Sequence, residues 1–210
     1  MMLKEFEKRI LSSLILIPIA TFFILKGTFF FNFFLIICLS ITLYEWQMMS
    51  KKKPYNIFGH IFLLLSFYSA YLIRNENEKS LYIFLVVLLI CISTDIGGYI
   101  LGKILKGPKL TKISPKKTYS GVFGGYLLSI IVANSFIDYV DLNFHTEEFV
   151  IVIVISTISQ IGDITVSYFK RLSKLKNTGK LIPGHGGVLD RIDGMIFAFP
   201  FFYVINLINQ

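Results

Sequence analysis

The chain has 210 residues, of which 54% are apolar, 16% aromatic and 16% charged, with a formal net charge of +8 and two cysteines. Charge this sparse, gathered between long apolar runs, excludes an ordinary soluble globule, a disordered chain and a disulfide-stapled domain. The basic excess does not indicate nucleic acid, because the lysines flank apolar runs, where they set membrane orientation.

In chain order, apolar runs occupy residues 10–25, 28–44, 57–73, 81–101, 119–140, 149–169 and 188–208. Each approaches the roughly 17 to 25 residues that a bilayer-spanning helix needs. The expected fold is therefore all-α: a polytopic integral membrane helix bundle of about seven transmembrane helices, forming one domain over 1–210. The first run is short and contains Pro18, but no small-residue cleavage pattern follows, so it is read as a retained span. Cys38 and Cys91 fall inside spans, with neither disulfide nor metal-ligand spacing.

Alternate loops differ in charge. One side carries Lys4, Lys8 and Arg9, then Lys51, Lys52 and Lys53, then Lys103, Lys106, Lys109, Lys112, Lys116 and Lys117, and finally Lys170, Arg171, Lys174, Lys176 and Lys180. The other side has Lys26, Arg74 and Lys79. Positive residues collect on the cytoplasmic side. This predicts a multi-pass protein of the plasma (inner) membrane with a cytoplasmic N-terminus.

Carboxylates within spans are costly and mark function. Glu45, Asp95 and Asp163 come late in spans that run inward, and Asp190 and Asp193 come early in the span that leaves, so all five are expected near the cytoplasmic face. The outer side has an acidic patch at Asp138, Asp141, Glu147 and Glu148. On one continuous helix Asp190 and Asp193 share a face, with Arg191 turned about 100° away as the obvious cationic partner. Asp163, Ser167, Lys170 and Lys174 follow at helical spacing as a polar stripe. Clustered oxygen ligands suit magnesium, which binds through one or two carboxylates, water and substrate phosphates. Two loops offer phosphate-friendly chemistry: SPKKT at 114–118, and PGHGG at 183–187, which feeds a helix start near Val188 whose free amides favour an anion.

The segment SYFKRLSKLKNTGKLIPGHGGVLDRID, 167–193, closely resembles the signature of the phosphatidate cytidylyltransferase (CDP-diacylglycerol synthase) family. SPKKTYSG at 114–121, IGD at 161–163 and TDIGGY at 94–99 are similar to further family segments. Three positions depart from the family pattern: Asn177 stands where Asp is expected, and Ser120 and Val166 where Glu is common. The resemblance covers about residues 90–200, which makes 81–210 the catalytic half and 1–80 a set of N-terminal spans. It implies transfer of the cytidylyl group of CTP to phosphatidic acid.

On that resemblance Asp163 and Asp190 are expected as metal ligands, with Asp193 joining them or orienting their surroundings. Lys170, Arg171 and Lys176 would hold phosphates, and His185 with the Gly186 and Gly187 backbone would contact the nucleotide's phosphate chain. Ser114, Lys117 and Thr118 would close the pocket, and Asp95 and Arg191 would complete the substrate contacts. The implied cofactor is Mg2+, with a second ion left open, and the partners are CTP, phosphatidic acid and membrane lipids, with the homodimer an open alternative to the monomer. Rival readings are a cation transporter or channel lined by the same aspartates, and an inactive relative. The one-sided clustering of the acids and the repulsive basic loops speak against a cation pathway.

Overall fold

The computed structural model describes residues 2–75, 79–140, 146–184 and 186–208. Asp141 and His185, both singled out above, lie outside the described residues. Among the described residues the chain forms α1 (Met2–Leu25), α2 (Thr28–Ser50), α3 (Asn56–Asn75), α4 (Ser80–Leu105), α5 (Tyr119–Tyr139), α6 (Thr146–Leu172), α7 (Leu189–Ile192) and α8 (Met195–Ile208). Helices α2 to α6 are long and apolar enough to cross a membrane, while α8 and the 11–25 stretch of α1 are shorter apolar helices. This is the expected polytopic helix bundle. Backbone groups have no water to bond to in hydrocarbon, so spans of this length close their hydrogen bonds within each helix. Phe29, Phe58 and Phe123 stand exposed on helix surfaces, as lipid-facing side chains do.

The chain divides into two compact units, Met1–Tyr71 with Phe169–Ile192, and Leu72–Tyr168 with Asp193–Gln210. Most of the signature segment thus groups with the N-terminal helices. In the first unit an aromatic cluster joins α2 to the end of α6: the Trp46 ring meets Phe169 edge-on at 5.3 Å, and Tyr55 lies 4.8 Å from Phe169. Trp46 Nε1 donates to the Asn56 carbonyl at 2.9 Å, so its polar atom is satisfied while its ring packs.

In the second unit α4 and α5 pack backbone to backbone. A Cβ at Gly97 would collide with the Gly124 carbonyl, and one at Gly124 with the Gly97 carbonyl, so small residues here let the helices touch where a hydrophobic drive between helices is weak. Polar pairs add to the packing: the Thr94 and Ser156 hydroxyls are 2.8 Å apart, and those of Tyr126 and Thr157 are 2.9 Å apart.

The expected final span is not one helix. α7 ends at Ile192, Asp193 and Gly194 form a turn, and α8 starts at Met195. The Asp193 carboxylate accepts the Gly194 amide at 3.1 Å, a local bond that competes with helix continuation. The Gly194 carbonyl then accepts the amides of Phe197 and Ala198, restarting the helix. Asp190 and Asp193 therefore do not share a helix face, which corrects the spacing-based expectation.

Candidate active site

The residues expected at the site fall into both units. The first holds Lys170, Arg171, Lys176, Gly186, Gly187, Asp190 and Arg191; the second holds Asp95, Ser114, Lys117, Thr118, Asp163 and Asp193. Among the described residues each unit contains one lysine–aspartate pair: Lys117–Asp163 joins two motif segments, and Lys170–Asp190 closes one segment on itself.

In the second unit Lys117, from the 114–118 segment, reaches Asp163 on α6 with Nζ to Oδ2 at 2.6 Å. The same ammonium donates to the Gln160 carbonyl at 3.3 Å. The other Asp163 oxygen accepts Ser167 Oγ at 3.3 Å, the i to i+4 bond expected from the polar stripe. The loop that presents Lys117 is held at both ends. Leu110 N donates to the Lys117 carbonyl at 2.8 Å, and Thr118 caps α5 by accepting the Gly121 amide at 3.1 Å. That cap binds the Thr118 hydroxyl to the helix start. The Ser114 carbonyl accepts the Lys117 amide at 3.0 Å, closing the turn. Two glycines bring the Asp193 turn against α6: a Cβ on Gly162 would meet the Asp193 carbonyl at 2.8 Å, and one on Gly194 would strike the Ser159 hydroxyl. Asp163 and Asp193 thus stand on adjoining backbone. Asp95 is exposed on α4.

In the first unit Lys170 Nζ bonds Asp190 Oδ1 at 2.8 Å, with both side chains more than nine-tenths shielded. The partner of Asp190 is thus Lys170, not the adjacent Arg191, which is exposed. The second Asp190 oxygen accepts the amides of Thr178 at 2.8 Å and Gly187 at 3.0 Å. Between them the chain forms a small hairpin, with Ile182 and Gly186 exchanging both backbone hydrogen bonds at 2.9 and 3.1 Å. Gly186 takes φ +90°, which an L side chain rarely adopts, and a Cβ there would also meet Asp190 Oδ2 at 2.7 Å. Asn177 lies against the same glycine. The exposed basic residues of this segment are Arg171, Lys174, Lys176 and Lys180, and Arg171 Nη1 also donates to the Leu175 carbonyl at 2.9 Å.

The spacing-based expectation of free amides at the start of α7 does not hold. The Val188 and Leu189 amides donate to the Glu45 carboxylate at 3.0 and 2.9 Å, the Gly187 amide to Asp190, and the Gly186 amide to the Ile182 carbonyl. An anion approaching this loop meets lysine and arginine side chains before backbone donors. Glu45 comes from outside the segments that carry the family resemblance. Its being an acid late in an apolar run that leads inward is the signal that singled it out.

Among the described residues no group of three or more His, Cys, Asp and Glu side chains is gathered as a metal site. Magnesium needs fewer protein ligands when phosphates supply the rest. Asp163 suits that role: its side chain is 27% exposed and its partners are one lysine and a long hydroxyl bond. Asp190 does not, since both its oxygens are committed to Lys170 and to the loop amides.

Residues 55–208 match the family model described as the cytidylyltransferase family. The chain is 36% identical to the phosphatidate cytidylyltransferase of Rickettsia felis across 95% of its own length and 92% of that protein. It is 37% identical to the protein of the same name from Rickettsia bellii, over 94% and 89% of the two chains. With the one from Staphylococcus haemolyticus it shares 35% identity over 81% of its length and 67% of the relative.

Proposed function

The chain belongs to the cytidylyltransferase family, and on that premise we propose that it transfers the cytidylyl group of CTP to phosphatidic acid, yielding CDP-diacylglycerol and pyrophosphate. The observation that carries this function is the identity to phosphatidate cytidylyltransferases along nearly the whole chain, with the motif segments holding the ion pairs Lys117–Asp163 and Lys170–Asp190.

In the reaction a phosphate oxygen of the lipid attacks the α-phosphorus of CTP. The bond from that phosphorus to the β-phosphate oxygen breaks, and pyrophosphate leaves with the electron pair. The lipid phosphate is already ionised, so no strong general base is required. The barrier lies in bringing two polyanions together, and positioned cations lower it.

The residues divide this work. Lys170, Arg171 and Lys176 hold phosphate oxygens from the 169–192 segment, and Lys117 does so from the 114–118 segment. Lys117 and Lys170 are each aimed by an aspartate, which limits the side-chain freedom that binding would otherwise have to remove. Asp190 acts by holding Lys170 and the loop. Asp163, with Asp193 on the adjoining backbone, would hold magnesium brought in with the triphosphate. When bound, that ion neutralises phosphate charge. In a plasma-membrane location, the positive-inside distribution supports these segments on the cytoplasmic side, where CTP is dissolved and the lipid headgroup is within reach.

The direct test is release of pyrophosphate by detergent-purified protein given CTP, magnesium and phosphatidic acid. Release that requires the lipid is the expected result. No release in the presence of all three would mark an inactive relative.

A further inference from the structure

Glu45 is 96% buried in α2 and carries no ion pair among the described residues, yet its carboxylate accepts three hydrogen bonds from one loop. Oε1 accepts the Val188 amide at 3.0 Å, and Oε2 accepts the Leu189 amide at 2.9 Å and the Thr178 hydroxyl at 3.0 Å. A Cβ on Gly179 or Gly187 would run into this carboxylate, so the loop closes around it on both sides. Thr178 is divided between two acids, its amide going to Asp190 and its hydroxyl to Glu45. At the hairpin tip Ser12 of α1 donates to the Pro183 carbonyl at 3.1 Å.

Resting on the cytidylyl-transfer reading above, we propose that Glu45 is a positioning residue for CTP: it clamps both ends of the 178–189 loop so that the exposed Lys180 on the loop and Lys176 just before it are presented to the triphosphate. A buried carboxylate is costly, and charge-assisted bonds to three otherwise unpaired donors offset that cost. The clamp also explains why the loop's amides are not offered to an anion. Recognition passes to Lys176 and Lys180, on which a triphosphate depends more than a single lipid phosphate does.

The test uses purified full-length Glu45→Gln, which keeps shape but turns an amide donor toward groups that need an acceptor. Loss of a bond to a charged group predicts a KM for CTP raised about tenfold or more, with the KM for phosphatidic acid within about twofold of wild type. Amide exchange at residues 178–189 should accelerate while α2 stays protected. Thr178→Val removes the hydroxyl partner, should raise the CTP KM in the same direction, and combined with Glu45→Gln should add less than its separate effect. Should Glu45→Gln not survive extraction, Thr178→Val alone decides. An unchanged CTP KM, or equal shifts for both substrates together with a lowered melting temperature, overturns the proposal. If wild-type protein forms no CDP-diacylglycerol, the functional reading falls, while the exchange rates still decide whether Glu45 holds the loop.

Discussion

Lys170 and Asp190 meet at 2.8 Å from opposite ends of the loop that bears the family signature, and both are shielded from solvent. Asp190 also holds the amides of Thr178 and Gly187, so the residue that aims the lysine also shapes the loop beside it.

Removing one partner of a buried pair leaves the other charge uncompensated. Lys170→Met is predicted to lower stability by about 3–5 kcal/mol, whereas Lys170→Met with Asp190→Leu should be less destabilised than Lys170→Met alone. Thermal unfolding in detergent checks this, and a double variant whose loss equals the sum of the single losses would contradict it.

Packing between α4 and α5 sets a second expectation. Gly97→Ala forces a methyl group onto the Gly124 carbonyl and should cost about 1–3 kcal/mol by overpacking. Gly98→Ala places its methyl group 3.5 Å from the Gly121 carbonyl, an ordinary contact, and should be tolerated. Comparing the two melting temperatures separates close packing from a general intolerance of alanine.

Asn177, where the family pattern has aspartate, rests against Gly186 and is itself exposed. Exposed substitutions rarely change stability by more than about 0.5 kcal/mol, so Asn177→Asp should leave the melting temperature nearly unchanged and, with no ion pair to Asn177's position among the described residues, turnover close to wild type. A gain of tenfold or more would show that the missing charge limits this enzyme.

The spans and the segments that carry the family signature were legible because they are local: run length and motif spacing. The Ser167–Asp163 bond was legible for the same reason, being one helical turn. What was not legible depends on distant or non-helical geometry. Glu45 and Leu189 bond across 144 positions, a relationship that no local pattern encodes. The break at Asp193–Gly194 interrupts an otherwise apolar run, and with it fails the inference that Asp190 and Asp193 share a face. Asp190 takes Lys170 rather than neighbouring Arg191 because the chain folds back through the hairpin, which places a residue 20 positions away closer than an adjacent one.

Asp163 carries the remaining expectation, since the proposed reading makes its accessible carboxylate, beside Lys117, the group that would hold magnesium. Asp163→Asn keeps the size and the Ser167 contact while removing the charge. Its predicted effect is loss of turnover by about 100-fold or more, in the range seen when a single electrostatic contact to the reacting group is removed. An unchanged melting temperature would show that the fold is intact.

The most direct measurement follows label from α-labelled CTP into lipid-extractable product with phosphatidic acid and magnesium, in wild type and in Asp163→Asn. Wild type should form labelled CDP-diacylglycerol only when phosphatidic acid and the divalent cation are both present, and the variant almost none. Cation-independent product, or wild-type turnover by Asp163→Asn, would contradict it.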